Sequence, residues 1–242
     1  MSIEKVAEKL TSWIGETVSS AGGKGVVLGL SGGIDSSVAA VLCQRALPEA
    51  TLGVIIPCYS DRVDREHAEL VAASFRISVE VVVLDEAFDA LVKALSSRDY
   101  TLATKELAEA NIKPRLRMVA LYYFANRLNY LVVGAGNRSE LSVGYFTKYG
   151  DGGVDLLPLG NLLKSQVRDL AMYLKIPREI IDKPPSAGLW AGQTDEAELE
   201  LTYRELDNYL ATGDGGGEVK EKIDSMTNRS SHKRRTPPAP LL

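Results

Sequence analysis

The sequence predicts an α/β fold, an open doubly wound parallel sheet flanked by helices, and three observations lead to this prediction. Short apolar runs alternate with stretches of helical periodicity along the first half of the chain. Alternation at this spacing favours parallel strands joined by right-handed helical crossovers. A glycine-rich turn follows the first apolar run, at the position where sheets of this class bind their ligands.

The first half of the chain supplies one leading helix and three strand–helix units. Residues 3–20 place apolar side chains at helical spacing and end in a cluster of glycines. Strands are predicted at residues 26–30, 51–57 and 79–84, because each run is short, apolar and rich in β-branched residues. A helix is predicted after each of these strands, at residues 36–45, 61–75 and 85–95.

The second half is less regular. Residues 100–129 form a long helical pattern that Pro114 should interrupt near Lys113, and residues 130–133 predict a fourth strand. Residues 144–160 have no clear period, which in a compact domain is typical of a functional loop. The remaining predictions are a helix at 164–176, a flap at 183–194, a helix at 195–210, a flexible connector at 212–217, a short helix at 219–226 and an irregular tail at 230–242.

Length and composition predict one domain over residues 1–242 and exclude several classes of protein. The 28 Lys and Arg against 32 Asp and Glu give a net charge of −4, which argues against nucleic-acid or anionic-membrane partners. Cys43 and Cys58 are too few for a disulfide framework and are interpreted as packing residues. No apolar run approaches the ~18 residues of a membrane span, so we expect a cytoplasmic protein.

The sharpest local signal is the run GLSGGIDSS at residues 29–37, between a predicted strand and a predicted helix. Glycines there let backbone N–H groups approach an anion, and the helix N-terminus adds a favourable dipole. The run is not the P-loop of kinases and GTPases, because the Lys-Ser/Thr pair of that motif is missing. It predicts a phosphate cradle, and the alternative is an ordinary loop whose Ser or Asp caps the helix.

This arrangement resembles the pyrophosphate loop of the N-type ATP pyrophosphatases, in the adenine nucleotide α-hydrolase-like superfamily. Four further motifs narrow the resemblance to the ammonia-dependent NAD synthetases: RLRM at 115–118, GAGNRSE at 134–140, GYFTKYGDG at 144–152 and PSAGLW at 185–190. The resemblance implies that ATP adenylates the carboxylate of deamido-NAD⁺ and releases pyrophosphate. Ammonia would then attack the acyl adenylate to give NAD⁺ and AMP, the last step of NAD biosynthesis.

The resemblance also implies which residues hold the ligands. Asp35 and Glu140 match the family's Mg²⁺ positions, and Mg²⁺ commonly combines one or two carboxylates with substrate phosphates. Ser31 and Lys164 would stabilise the phosphate and acyl centres, and no side chain is needed as a nucleophile. The positions matched to ATP are Gly29, Leu30, Ser31, Gly32, Gly33, Ile34, Asp35, Ser36, Ala135, Lys164 and Ser186, and those matched to deamido-NAD⁺ are Arg115, Lys148, Asp155, His232 and Lys233.

Each of these roles has a structural alternative. Asp35 can be a helix cap, Glu140 a first-turn acid that complements a helix dipole, and Lys164 part of a solvated helix face. For residues 232–233 the alternative is a disordered basic tail. Two positions depart from the family: Ala135 replaces the usual Thr and removes a hydroxyl near ATP, and Glu200 replaces the usual Gly, which puts the local backbone of the flap in doubt.

The resemblance further implies a homodimer with dinucleotide sites near the subunit interface. We expect ammonia as the nitrogen donor, with a separate glutaminase subunit as one source, because the synthetase pattern uses all 242 residues. The flap at 183–194 is interpreted as a lid that excludes water from the acyl adenylate. The alternatives left open are another N-type pyrophosphatase ligase, such as a tRNA-thiolating or GMP-forming enzyme, and a non-catalytic adenine-nucleotide-binding module.

Overall fold

A computed structural model of the chain describes residues 1–95, 105–190 and 192–240. Its centre is a four-stranded sheet in the order β3-β2-β1-β4, and every neighbouring pair is parallel. The predicted α/β class and parallel sheet are confirmed. The strands are Gly25–Gly29 (β1), Thr51–Ile55 (β2), Ser78–Val81 (β3) and Tyr130–Val133 (β4).

Helices cover both faces of the sheet because the side chains of each strand alternate between the two faces. Val26 and Leu28 of β1 enter the larger core, whereas Val27 between them enters a second core on the opposite face. The helices are Ile3–Ser20 (α1), Ile34–Ala46 (α2), Arg62–Phe75 (α3), Asp85–Leu95 (α4), Lys105–Ala110 (α5), Ile112–Leu128 (α6), Arg138–Val143 (α7), Lys164–Leu174 (α8), Arg178–Ile181 (α9), Asp195–Leu199 (α10), Tyr203–Thr212 (α11) and Gly216–Arg229 (α12).

The two cores divide the helices between the faces. The larger core joins the sheet to α1, α2, α3, α8 and α9, and the opposite core joins it to α6 through Ala125. A third cluster of apolar side chains packs α10, α11 and α12 onto α7, with Leu206 and Ile223 fully buried. Helices α7 and α8 therefore lie between the sheet and this C-terminal helical group.

Strand order makes the region between β1 and β4 the switch point of the sheet. The chain moves from β1 to β2 and β3 on one side, and then returns to place β4 on the other side of β1. Ligands of open α/β sheets bind outside the carboxyl ends of the strands at such a point. The loops that follow β1 and β4 are the glycine-rich run at 29–37 and the segment that leads into α7.

Most predicted elements are found within a few residues of their predicted bounds. The strand predicted at 79–84 ends at Val81, and all four residues of β3, at the edge of the sheet, are exposed. The helical pattern predicted at 100–129 breaks at Asn111, so α6 begins one residue before Lys113, and residues 100–104 lie outside the described residues. The irregular loop at 144–160 is confirmed.

The single helix predicted at 195–210 is wrong. Helix α10 ends at Leu199, and Glu200 adopts a left-handed conformation with φ 48°. Thr202 then starts α11 with a capping box, in which its side chain accepts from the backbone N–H of Glu205 and the Glu205 carboxylate accepts from the backbone N–H of Thr202. This reciprocal cap satisfies two free N–H groups and outweighs the continuous helical pattern of the sequence.

The predicted connector and tail are also corrected in part. Helix α12 begins at Gly216, inside the predicted connector, and runs past the predicted end at 226 because Ile223 anchors it in the C-terminal cluster. The tail is irregular after a short 3₁₀ helix at Ser231–Lys233, as far as the described residues extend. Within the described ranges, no helix combines the length and apolar character needed to span a membrane.

Candidate functional site

The glycine-rich run after β1 folds into a tight loop held by its own serines. Ser31 Oγ lies 2.8 Å from Ser36 Oγ, and the hydroxyls of Ser36 and Ser37 donate to the carbonyl oxygen of Gly33 at 3.0 and 2.8 Å. Gly32 has φ +76°, and a Cβ there would overlap the backbone carbonyl of Asp64 in α3. Only glycine fits at this position, because α3 packs directly against the loop.

The same loop leaves the start of α2 open to an anion. Gly33 is the N-cap residue and provides no side-chain cap. The backbone N–H groups of the first turn of a helix have no intrahelical acceptor, and they carry the positive end of the helix dipole. This geometry matches the phosphate cradle predicted from the sequence, although the hydroxyls of Ser31 and Ser36 are engaged within the loop.

Three of the predicted side chains meet at the carboxyl edge of the sheet. Lys164 Nζ, from the first residue of α8, lies 2.5 Å from Asp35 Oδ2 and 3.1 Å from Glu140 Oε1. Asp35 belongs to α2 after β1, and Glu140 belongs to α7 after β4. The three side chains are only 11–17% exposed. The prediction that Asp35 and Glu140 converge is therefore matched by the structure, and Lys164 is not on a solvated face.

Burial and charge shift the protonation equilibria of this cluster. Burial raises the pKa of Glu140 to about 7, with a further contribution from Asp35, while Lys164 acts in the opposite direction. Burial alone would lower the pKa of Lys164, but the carboxylates of Asp35 and Glu140 outweigh it and the net pKa is raised. Lys164 therefore stays protonated, and its single positive charge faces two acidic side chains.

Asn137 orients both carboxylates of the cluster. Its Nδ2 donates to Asp35 Oδ1 at 2.9 Å, and its Oδ1 accepts from the backbone N–H of Glu140 at 3.1 Å. Glu140 Oε2 in turn accepts from the backbone N–H of Asn137 at 3.2 Å, which completes a capping box for α7. Glu140 is thus a cap, as the structural alternative proposed, and also a partner of Lys164.

Asp207 of α11 fixes the start of α8 from behind. Its buried carboxylate accepts from Ser139 Oγ at 2.5 Å and from the backbone N–H of Ser165 at 2.8 Å. Ser139 Oγ also accepts from the backbone N–H of Lys164 at 3.0 Å. Asn137, Ser139 and Asp207 were not among the site residues predicted from the sequence. The Asn-x-x-Glu spacing of the capping box was a readable signal, whereas Asp207 lies 68 residues beyond Ser139 and 42 beyond Ser165 and had none.

Four residues matched to deamido-NAD⁺ lie around the loop after α7. Arg115 Nη2 reaches the carbonyl oxygen of Lys148 at 3.5 Å, and Lys148 Nζ donates to the carbonyl oxygen of His232 at 2.9 Å. Lys233 Nζ donates to the carbonyl oxygens of Gly144 and Phe146, both at 2.8 Å. These contacts fasten the C-terminal tail onto the loop, so the tail is not a free basic segment here.

The other matched positions lie apart from this set. Asp155 accepts from Tyr122 Oη at 3.0 Å and from the backbone N–H of Val132 at 2.8 Å, which places it beside β4. Ala135 lies two residues after the end of β4, in the segment that leads to α7. Ser186 lies in the predicted flap, where its hydroxyl accepts from the backbone N–H of Gly188 at 3.1 Å.

The predicted flap rests on the site through a few long side chains. Lys183 forms an ion pair with Asp64, the residue whose backbone packs against Gly32. The buried side chain of Lys113 donates to the carbonyl oxygen of Leu189 at 2.8 Å. The backbone N–H of Asp195 donates to the carbonyl oxygen of Pro185 at 3.0 Å. The flap therefore lies next to the glycine-rich loop, although Ala191 within it is outside the described residues.

The donor set at the carboxyl edge fits a magnesium ion that is shared with phosphates. Asp35 and Glu140 both lie within 3.1 Å of one cationic nitrogen, so they are placed to share a cation. In the part of the chain that the structure describes, no group of three or more His, Cys, Asp or Glu side chains could hold a metal. Two carboxylates with phosphate oxygens form the donor set that Mg²⁺ commonly uses.

Known proteins match this chain over its whole length. The family model for NAD synthase matches residues 6–237. The NH₃-dependent NAD⁺ synthetase of Carboxydothermus hydrogenoformans is 51% identical over 99% of this chain and 98% of its own length. Two solved structures match all of this chain over their own full length. One is an NMN synthetase from Francisella tularensis (TM-score 0.95, 37% identity), and the other is an NH₃-dependent NAD synthetase from Campylobacter jejuni (TM-score 0.81, 30% identity).

The matched range contains the site described above. The family model includes the glycine-rich loop, the Asp35, Glu140 and Lys164 cluster and the flap, all of which lie between residues 6 and 237. The match to the Carboxydothermus hydrogenoformans relative covers 99% of this chain. The resemblance inferred from the motifs is therefore confirmed, and the chain belongs to the NAD synthase family.

Proposed function

We infer that this chain is a ligase that forms a C–N bond: it amidates deamido-NAD⁺ with ammonia and converts ATP to AMP and pyrophosphate. The observation that carries this conclusion is the Lys164 ammonium held between Asp35 and Glu140, beside the open N-terminus of α2. This edge of the sheet offers backbone donors and one cation to a polyphosphate, and two carboxylates to a divalent ion.

The first chemical step joins the substrate carboxylate to the α-phosphorus of ATP and breaks the bond to pyrophosphate. The N–H groups at the start of α2 would bind the phosphates. Lys164 would stabilise the negative charge that develops on the leaving pyrophosphate. Asp207 and Ser139 hold the backbone of Lys164, so the ammonium approaches from a fixed point. These residues supply position and charge, which are the main protein contributions to phosphoryl transfer.

In the second step the nitrogen of ammonia attacks the acyl carbon, the bond to AMP breaks and a proton is lost from nitrogen. No side-chain nucleophile is required, because both attacking atoms come from substrates. The flap lies across the glycine-rich loop through Lys183 and Lys113, where it would keep water away from the acyl adenylate. Arg115, Lys148, Asp155, His232 and Lys233 are the proposed contacts to deamido-NAD⁺, and Ala135 and Ser186 complete the proposed ATP site.

We assign Asp35 and Glu140 as the residues that would hold Mg²⁺. The ion, when bound, supplies positive charge to the phosphates of ATP. Lys164 already holds these carboxylates close together, and the other oxygen of each carboxylate accepts a hydrogen bond from Asn137. Titration of the purified protein with Mn²⁺, followed by electron paramagnetic resonance with and without ATP, tests this site independently of turnover. Equal Mn²⁺ binding by wild type and Asp35→Ala would contradict the assignment.

The product assay tests the function directly. The purified chain is mixed with deamido-NAD⁺, ATP, Mg²⁺ and ammonium, and NAD⁺, AMP and pyrophosphate are measured. We expect the three products in equal amounts, with no NAD⁺ when ATP or ammonium is omitted. Pyrophosphate release without any NAD⁺ would instead indicate another N-type pyrophosphatase ligase, and no release at all would indicate a nucleotide-binding module.

A second candidate substrate is the corresponding mononucleotide. The NMN synthetase from Francisella tularensis has a TM-score of 0.95 with this chain, against 0.81 for the NAD synthetase from Campylobacter jejuni. An NMN synthetase makes the amide of a mononucleotide rather than of a dinucleotide. Competition between deamido-NAD⁺ and nicotinate mononucleotide in one reaction gives the ratio of the two kcat/KM values. We expect deamido-NAD⁺ to be preferred, and a preference for the mononucleotide would reassign the substrate.

The nitrogen donor is proposed to be free ammonia, which a separate glutaminase subunit could supply. The relative from Carboxydothermus hydrogenoformans is named as an NH₃-dependent enzyme. Replacing ammonium with glutamine in the product assay should abolish NAD⁺ formation by the purified chain. Sustained turnover with glutamine alone would contradict this proposal.

We further propose that the protein acts as a homodimer in the cytoplasm. Helix α6 exposes Val119 and Tyr123 at 59% and 55%, an apolar surface of the kind that a second copy covers. Sedimentation velocity of wild type and Val119→Glu checks the assembly. We expect a dimer for wild type and a monomer for the variant, and a monomeric wild type at micromolar concentration would contradict the proposal.

A further inference from the structure

Tyr203, the first residue of α11, contacts Glu140 and Lys164, although it was not among the site residues predicted from the sequence. Its buried ring lies under the Lys164 ammonium, with Nζ 4.9 Å from the ring centroid. Its hydroxyl lies 2.9 Å from Asp195 Oδ2 and 3.3 Å from Glu140 Oε1. The phenol therefore stands between a residue that is proposed to bind metal and the first residue of α10.

The hydroxyl of Tyr203 has one hydrogen to donate and two carboxylates within hydrogen-bond distance. A phenol donates a single hydrogen bond, so it can satisfy only one of these acceptors at a time. The shorter distance assigns the bond to Asp195. Asp195 is almost fully buried, and among the described residues its other oxygen, Oδ1, has no hydrogen-bond partner. The bond from Tyr203 is therefore valuable to Asp195, since an unsatisfied buried carboxylate is costly.

Asp195 connects this bond to the flap. Its backbone N–H donates to the carbonyl oxygen of Pro185, near the start of the flap, at 3.0 Å. The backbone N–H of Tyr203 donates to Glu196 Oε1 at 2.9 Å, which fixes the phenol relative to α10. Any displacement of Asp195 with the flap would release the hydroxyl, and Glu140 Oε1 is the acceptor next to it.

We propose that Tyr203 is a positioning residue that links the flap to the Glu140 and Lys164 pair, a role that rests on the proposed amidation. With the flap in place, the hydroxyl holds Asp195 and leaves Glu140 Oε1 to Lys164. With the flap displaced, the hydroxyl turns to Glu140 Oε1 as a second donor beside Lys164, and the shared oxygen then holds Lys164 less strongly. The cluster is thus arranged for the reaction only while the flap rests on the site.

The chain offers a reporter and a matched control for this link. It has two tryptophans, Trp13 in α1 and Trp190 in the flap, so Trp13→Phe leaves the flap residue as the only tryptophan. Tyr209 lies on the same helix as Tyr203, and its hydroxyl bonds to Asp224 at 2.8 Å on the exposed side. Tyr209→Phe therefore removes an equivalent Tyr–Asp bond from α11 away from the cluster.

The experiment compares Tyr203→Phe and Tyr209→Phe in the Trp13→Phe protein. Acrylamide quenching of Trp190 is measured without ligands, and kcat and the KM for ammonium are measured in the product assay. We expect Tyr203→Phe to increase the quenching and to lower kcat about tenfold, the effect of losing one hydrogen bond to a charged group, with little change in KM. Tyr209→Phe should change neither quantity.

The other outcomes also decide the proposal. Quenching of the Tyr203→Phe protein equal to that of Tyr209→Phe overturns the link, whatever happens to kcat. If Tyr203→Phe melts below the assay temperature, Asp195→Ala replaces it, because it breaks the same bond from the flap side and should increase the quenching. An inactive parent protein whose quenching still responds to Tyr203→Phe would refute the amidation and leave the link standing.

Discussion

The glycine-rich loop and the flap lie side by side but are held in opposite ways. The loop is held by short local contacts, the serine hydroxyls on Gly33 and the close packing of Gly32 on α3. The flap is held by side chains from distant parts of the chain, Lys113 of α6 and Asp64 of α3, which pairs with Lys183 of the flap. One surface of the site is therefore preformed, whereas the other can leave when two or three side-chain contacts break.

This difference suits the loop to the binding of phosphates and the flap to the protection of bound substrates from water. A preformed loop pays no ordering cost when phosphates arrive, which favours affinity. A segment held by a few long side chains opens at low cost, which suits the entry of a large dinucleotide and the release of products. We therefore expect substitutions in the loop to abolish activity, and substitutions under the flap to change access and turnover by smaller factors.

The largest expected effect is that of a methyl group added in the loop. Gly32→Ala forces a Cβ against the carbonyl of Asp64, so the loop cannot keep its shape and kcat/KM should fall by about 1000-fold or more. Gly192→Ala is the control in the flap. Gly192 also has a positive φ, of +75°, but among the described residues nothing lies within 4 Å of the added Cβ.

The control should therefore lose about 1–2 kcal/mol of local stability at most, the strain of a left-handed alanine. Steady-state kinetics and thermal melting of both variants check this comparison. Similar kcat/KM values for Gly32→Ala and Gly192→Ala would show that the loop is no more rigid than the flap.

Removing one charge from the cluster should have the next largest effect. Asp35→Asn keeps the shape of the side chain but loses a charged partner of Lys164, and we expect kcat to fall about 100-fold. The melting temperature should change much less, since Lys164 keeps Glu140 as a partner. Asp182→Asn, which breaks an exposed ion pair with Arg168, should leave kcat unchanged. An Asp35→Asn protein with wild-type kcat would remove this residue from the site.

A smaller effect is expected where the flap is fastened. Lys113→Met keeps the aliphatic stem but loses the bond to Leu189, so the flap should open more often and chymotrypsin should cut near Trp190 about tenfold faster. Turnover should fall less than tenfold. Lys93→Met, on the exposed side of α4, is the control. Equal cleavage rates for the two variants would show that Lys113 does not hold the flap.

The smallest effect concerns the turn after α10. Glu200 is a non-glycine residue at φ 48°, and its exposed carboxylate forms an ion pair with Lys222. Glu200→Gly removes the left-handed strain but adds chain entropy, so we expect a gain of about 0.5 kcal/mol in the free energy of unfolding. Urea denaturation measures it. A loss above about 1 kcal/mol would mean that the exposed pair matters more than the strain.

The sequence was sufficient for most of the sheet and for the glycine-rich loop, which depend on neighbouring residues. Strands β1, β2 and β4 and the glycine-rich loop follow from short apolar runs and the glycines after them. The convergence of Asp35 and Glu140 follows from the parallel sheet, since both residues come shortly after strands that pair with each other. The break at Glu200 was missed because a capping box outweighs helical periodicity, and a left-handed glutamate is unusual.

Features that depend on the packing of distant helices could not be predicted. Tyr203 and Asp207 lie one turn apart on α11 and reach Glu140 and Ser139 across about 65 residues of sequence. Their residue types are ordinary for an amphipathic helix, and only the docking of α11 on α7 and α8 gives them a role. The ion pair of Lys183 with Asp64, about 120 residues apart, is hidden for the same reason.

The capping box of α7 has a practical consequence for anyone who alters this enzyme. Glu140 closes the first turn of its own helix with one oxygen and faces Lys164 with the other. Alanine at this position would remove both functions, so a lost activity could not be assigned to chemistry or to a frayed helix. Glutamine retains the reciprocal cap through its amide oxygen, and it replaces the charged acceptor of Lys164 with an uncharged NH₂ group. Substitutions in the proposed Mg²⁺ site should therefore begin with Glu140→Gln.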